Sequence, residues 1–193
     1  MSKETDTEAW NGLRAPTHLV IWTIGHSTRS FEEFFDLLAE NRIQRLADVR
    51  HYATSRRVPW ATKSTLAVEL HERGVSYDHI EGLGGFRKPM AASVNTGWRN
   101  AGFRGYADYM DSPEFLVALD YLMRLAGEAR TAIMCAEAVP WKCHRSLLSD
   151  SLVVRGVRVE HILTSGQTEE HRLTKFAKVE GSRVTYPGPQ KGV

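Results

Sequence analysis

Hydrophobic and polar positions along the chain switch repeatedly between two periods. Leu19-Val20-Ile21-Trp22-Thr23-Ile24 is a continuous apolar run that halts at Gly25, as a buried strand would. Phe31, Phe34, Phe35 and Leu38 then recur at helical intervals behind Ser30 and Glu33, the spacing of a capping box. Arg45-Leu46-Ala47-Asp48-Val49 returns to a strand pattern, a helix is expected over 64–73 with Gly74 ending it, and Val75–Ile80 reads as a third strand. Gly82 to Asp111 is the least regular segment and is expected to be a long working loop. Ser112-Pro113 starts a helix whose stripe is Phe115, Leu119, Leu122, Met123 and Ala126, with Gly127 as its stop. A strand over 131–135, a helix over about 141–155 and a last strand at Arg158–Leu163 complete the pattern.

Strands that alternate with helices predict an α/β fold: a single three-layer domain with a mostly parallel sheet of about five strands and helices on both faces. Residues 1–17 are expected to be a flexible tail, 18–165 the α/β body and 166–193 a C-terminal extension, with a loose end from Tyr186 onward. There is no internal repeat. Ligands of such sheets bind outside the carboxyl ends of the strands. His26-Ser27-Thr28, Asp48 with Arg50, Gly84-Gly85, and Cys135 with Glu137 follow four of the proposed strands, so they should gather on one rim.

Composition adds limits. The chain has 193 residues, 42% hydrophobic and 25% charged, which suits a globular domain. A formal charge of +2 does not argue for nucleic acid, although Arg42, Arg45, Arg50, Arg56, Arg57 and Lys63 fall close together, as do Arg87, Lys88, Arg99 and Arg104. Two cysteines make no disulfide framework, no apolar run is long enough to span a bilayer, and no signal-peptide core is visible. A cytoplasmic location and no membrane partner are the expectations; a homo-oligomer stays open.

The densest chemistry is Cys135-Ala136-Glu137-Ala138-Val139-Pro140-Trp141-Lys142-Cys143-His144-Arg145. Cys143, His144 and Arg145 fall at a helix start, where free N–H groups and a guanidinium fork attract anions and lower a thiol pKa. They could equally cap and pack the helix, with Arg145 paired to Glu137 or Asp48. Cys135 is either a small core residue or a nucleophile. Glu137 is open to three roles: general base, metal ligand or half of an ion pair. Asp48 interrupts an apolar strand and needs a cation such as Arg50 or Arg145. His26 is a candidate acid/base group, Ser27 an anion ligand or a cap, and Gly84-Gly85 a point of close approach to ligand. Phosphate-binding glycine patterns are absent, and no cysteine or histidine pair has the tight spacing of a structural zinc site, so no metal or cofactor is assigned. Thiol phosphatases and sulfurtransferases hold their cysteine and arginine in a shorter cradle than Cys135 and Arg145 span.

Taken in order, Thr23-Ile24-Gly25-His26-Ser27, Asp48-Val49-Arg50, Leu83-Gly84-Gly85, Phe103–Met110, Met134-Cys135-Ala136-Glu137 and Cys143-His144-Arg145 resemble the domain of unknown function (DUF) 488 family over about residues 19–163. The resemblance implies a small α/β protein and adds Arg104 and Tyr106 to the candidate anion-binding set. It does not imply a reaction. Some members are associated with DNA-repair-type domains, which points toward nucleotide or nucleic-acid substrates. One departure stands out: where the family carries a proline followed by a serine after Asp48-Val49-Arg50, this chain has His51-Tyr52-Ala53-Thr54-Ser55-Arg56, with Ser55 in the serine's place.

The favoured reading is an enzyme, a hydrolase of a small anionic or nucleotide-like substrate. Arg145, Arg50, Ser27, Cys143, His144, Gly84 and Gly85 would hold the anion, with Glu137, Asp48 and His26 as acid/base groups. Cys135 or Cys143 enters as a nucleophile only in a covalent variant. Two rivals remain: a non-catalytic nucleic-acid-binding module that stacks bases on Trp60, Phe86, Trp98 and Phe103, and a metal-binding protein.

Overall fold

The computed structural model describes residues 19–189, so the expected tail over 1–17 lies outside the described residues. Its strands are β1 (Val20–Gly25), β2 (Arg45–Asp48), β3 (Ser76–His79), β4 (Thr131–Cys135), β5 (Arg158–Thr164), β6 (Gln167–Glu170), β7 (Lys178–Glu180) and β8 (Arg183–Thr185). The helices are α1 (Phe31–Glu40), α2 (Lys63–Glu72), α3 (Ala101–Tyr109), α4 (Pro113–Glu128) and α5 (Arg145–Val153). One sheet has the order β3-β2-β4-β1-β5-β6; β7 and β8 form a separate hairpin. The five strands read from sequence pair in parallel, and β6 adds an antiparallel edge against β5.

Side chains alternate across the sheet with period two, and that alternation makes the three layers. Trp22, Ile24, Leu46, Ala132 and Met134 pack with Phe31, Phe34 and Leu38 of α1 and Leu66 and Leu70 of α2. Ile21, Ala47, Ile133 and Val159 point the other way, against Tyr106 of α3, Leu119 and Leu122 of α4, and Leu148 and Leu152 of α5. Ser30 and Glu33 complete the capping box on α1, and Ser112 caps α4.

Three expectations are corrected. Gly82–Asp111 is not one loop, because α3 occupies its second half. Gly127 does not stop α4, which continues to Glu128. The end of the chain is not loose at Tyr186: the residue is buried, its N–H donates to Asn95 Oδ1 at 2.8 Å and its hydroxyl to Asp150 Oδ2 at 2.8 Å.

The connection after β1 runs toward β2, whereas the connection after β4 runs the opposite way, to β5. Strands β1 and β4 are neighbours, and the chain leaves them to opposite faces of the sheet, from β1 into α1 and from β4 into α5, which opens a crevice at their carboxyl ends.

Candidate functional site at the carboxyl rim of the sheet

The β1–β4 pairing continues past both strands: His26 N–H donates to the Cys135 carbonyl (3.1 Å) and Ser27 N–H to the Ala136 carbonyl (2.8 Å). This zipper sets His26 beside Cys135, across a cleft of about 460 Å³ that both residues line. Ser27 takes a left-handed backbone conformation (φ 51°), and its carbonyl lies 3.0 Å from His26 Nδ1. Nδ1 therefore carries the proton, leaving the Nε2 lone pair 3.5 Å from Arg50 Nη1. Burial, and after it the Arg50 charge, lower the His26 pKa to about 4, so the ring is neutral at pH 7. Ser27 does not line the cleft, and the cap of α1 is Ser30.

Arg50 is held from below. Asp48 is fully buried, and its carboxylate accepts from Arg50 N–H (3.1 Å), Nε (2.8 Å) and Nη2 (2.5 Å) and from the Tyr77 hydroxyl (2.6 Å). Arg50 Nη2 also donates to the Ala61 carbonyl at 2.7 Å. With four donors on its carboxylate, Asp48 has the cation partner that its place in an apolar strand required and leaves no oxygen free toward the cleft. It aims Arg50, whose Nη1 is left toward His26 and the cleft.

Arg145 is placed differently from Arg50. It is 1% exposed and does not line the cleft. Its Nη2 donates to the carbonyls of Glu137 (2.5 Å) and Ala138 (3.4 Å), and its Nη1 to Thr23 Oγ1 (3.3 Å). The guanidinium thus pins the loop after β4 from beneath. Behind it runs a chain of polar groups that sequence reading missed: Thr23 Oγ1 to His161 Nδ1 (2.7 Å), His161 Nε2 to His171 Nδ1 (2.9 Å), and His171 Nε2 to Asp150 Oδ1 (2.8 Å).

Cys135, Cys143 and His144 meet in the cleft wall, their ligand-type atoms all within 4.8 Å of one another. The link from β4 doubles back through a tight turn at Pro140–Lys142, so residues distant in sequence become neighbours. His144 Nε2 lies 3.0 Å from the Val49 carbonyl, which places its proton there and leaves Nδ1 facing Cys143 Sγ (3.7 Å) and Cys135 Sγ (4.0 Å). Burial would raise the Cys143 thiol, but hydrogen bonding to Cys135 and His144, with the nearby Arg145 charge, holds it well below the ordinary thiol range. Cys135 moves the opposite way, pushed up by the hydrogen bond to Cys143 and by burial. Two thiols and an imidazole in this arrangement suit a soft divalent metal or thiolate chemistry.

The remaining candidates divide. Glu137 is exposed, lines the cleft, and its carboxylate forms no ion pair or hydrogen bond among the described residues. Gly85 lines the cleft, whereas Gly84 makes its close approach to protein: a β-carbon there would lie 2.6 Å from His51 Cα. Tyr106 lines the floor, with its ring 5.0 Å from His144 and its hydroxyl donating to the Leu83 carbonyl. Arg104 is not a lining residue; Phe103, one position earlier on α3, is. Sequence reading missed His51, Tyr52 and Lys142, although the first two follow the β2 tip and the third lies inside the Cys135–Arg145 stretch. Tyr52 and Phe86 are 65% and 84% exposed and stand 5.9 Å apart at the mouth, an apolar pair facing solvent. Of the other aromatics expected to stack bases, Trp60 packs against Phe31 and Phe34, and Trp98 against Phe176 and Tyr186.

These features define a doubly wound α/β protein with a cationic, thiol-bearing cleft at the switch point of its sheet. The chain belongs to the family described as domain of unknown function DUF488, whose model matches residues 30–152. That match spans α1 to α5 and so contains Arg50, both cysteines, Glu137 and His144; His26 lies just before it. No curated protein and no solved structure matches the chain. Among the described residues no helix is long and apolar enough to cross a membrane.

Proposed function

We propose that the protein is an enzyme, a hydrolase acting on a small anionic, nucleotide-like substrate in the rim cleft. The observation that carries this reading is the way Arg50 is held: a buried carboxylate, a tyrosine hydroxyl and a backbone carbonyl all serve to present its remaining Nη1 to an otherwise apolar-mouthed cavity. A guanidinium fixed before substrate arrives loses little conformational freedom on binding an anion. Lys142 and His51 supply further donors around the same space. Tyr52 and Phe86 offer exposed aromatic surface at the mouth against which a heterocyclic base can pack.

In this reading Glu137 is the general base. It is the carboxylate that lines the cleft without a protein partner among the described residues, so it is free to take a proton from an attacking water. His26 is neutral and orients Arg50 or a bound hydroxyl. Arg145 holds the loop that carries Glu137 and contributes no direct contact.

Calorimetric titration with adenosine monophosphate, adenosine and inorganic phosphate tests the binding side. Adenosine monophosphate should bind at least about tenfold more tightly than either fragment, and Arg50→Lys should remove most of that preference. Turnover of a phosphate ester that the protein is found to cleave should vanish in Glu137→Gln while the fold persists. Absence of saturable binding by all three compounds, or full activity in Glu137→Gln, overturns the assignment.

A further inference from the structure

We infer that Cys135, Cys143 and His144 form a three-ligand site for zinc, with its fourth coordination position open to the cleft. The distances approach those of a ligand set around a small ion. Tetrahedral bonds of about 2.3 Å to sulfur and about 2.0 Å to nitrogen put sulfur and nitrogen about 3.5 Å apart. The two sulfurs here lie 3.7 and 4.0 Å from His144 Nδ1. The two sulfurs lie within 4.8 Å of each other.

Three further observations point the same way. The Val49 carbonyl takes the His144 Nε2 proton, which fixes the ring and turns the Nδ1 lone pair toward both sulfurs. Metal-bound histidines are oriented in this manner, with the second ring nitrogen donating to a carbonyl or carboxylate. Gly85 lies flat against the ring: a β-carbon at this position would stand over the imidazole face, 3.1 Å from Nδ1 and 3.4 Å from Cγ, and would push the ring out of the orientation that faces Nδ1 to the sulfurs. Finally, Cys143 Sγ accepts the Arg145 backbone N–H at 3.5 Å, a donor that steadies a coordinated thiolate.

Soft thiolates with one imidazole select zinc over magnesium or calcium, which prefer oxygen. Structural zinc sites are closed by four protein ligands, whereas sites that do chemistry keep a position free. Here the three ligands line the same cleft as Glu137 and Arg50. A water on the open position would therefore lie in the space assigned to substrate. On binding, the thiols give up their protons to solvent and the ion gives up water. The site stands on this geometry alone and does not depend on which substrate the cleft accepts.

The test uses the full-length protein, reduced and freed of metal, titrated with cobalt(II) as a spectroscopic stand-in for zinc. One ion per chain should bind, with a thiolate-to-cobalt charge-transfer band and the strong visible bands of a tetrahedral centre, and zinc should displace it. Cys143→Ser and His144→Asn should each weaken binding by at least about 100-fold. Near-ultraviolet circular dichroism of the metal-free variants checks that they fold. The wild-type titration decides the matter even where a variant does not: a reduced chain that shows no thiolate–cobalt band overturns the site. So does binding that survives Cys143→Ser. Because no substrate is present, the result is independent of the hydrolase reading.

Discussion

Arg50 and Arg145 are both buried near the same crevice, one just past a strand end and the other at a helix start, yet they do opposite things. Arg50 is gripped by side chains beneath it and turns one nitrogen into the cleft. Arg145 spends two nitrogens on protein oxygens, and its Nε finds no partner among the described residues. The difference lies in where each residue's element points. Arg50 follows β2 and leans over the rim, whereas Arg145 opens α5 and leans back under the β4 loop. A guanidinium near a crevice can serve as an anion ligand only when at least one of its nitrogens is left facing the open space.

The comparison can be broken at its strongest point first. Asp48→Asn leaves Arg50 without its buried counter-charge and should destabilise the fold by about 3–5 kcal/mol, measured by urea unfolding. Arg145→Met strands the Glu137 and Ala138 carbonyls and should lower stability by about 2–3 kcal/mol. Its effect on anion binding should only follow the loosened loop, so crystals of the variant should still place a bound anion on Arg50. An Arg145→Met protein as stable as wild type would show that the guanidinium is not a clamp.

A pH series sharpens the Arg145 side. His161 is neutral in the folded state because burial, and then its neighbour His171, lower its pKa to about 3. An unfolded histidine titrates near about 6.5, so between those values the unfolded chain binds the extra proton. Stability from this group is complete above pH 6.5 and is lost progressively as pH falls toward 3. His26, lowered to about 4, adds a loss of the same sign. His161→Gln should flatten the acid limb of the stability curve without changing its neutral plateau shape; an unchanged limb would contradict a neutral His161 in the folded state. The smallest expected effect belongs to the mouth: Phe86→Ala should change stability by less than about 0.5 kcal/mol while weakening adenosine monophosphate binding several-fold.

Much of this arrangement could be read from the chain. The switch between periods two and 3.6 located five strands, Ser30 with Glu33 located a helix start, and the rim rule brought His26, Arg50, Gly85, Cys135 and Glu137 to one place. Helix α3 was hidden although Phe103, Tyr106, Ala107 and Met110 have helical spacing, because Gly102 and Gly105 are poor helix formers and mask it. The Arg145 direction was not legible, since a sequence position at a helix start does not say which way a long side chain turns. Nor was the meeting of Cys135 with His144, which depends on the turn at Pro140–Lys142 folding the loop back. Tyr186 was masked by the prolines beside it, and its partner Asp150 lies far away in sequence.

The most direct test is a crystal structure of the protein grown with adenosine monophosphate. The phosphate should lie within hydrogen-bond distance of Arg50 Nη1, with the base against Tyr52 and Phe86 and the Arg145 contacts unchanged. A phosphate bound to Arg145, or a ligand seated outside the rim cleft, would contradict the account.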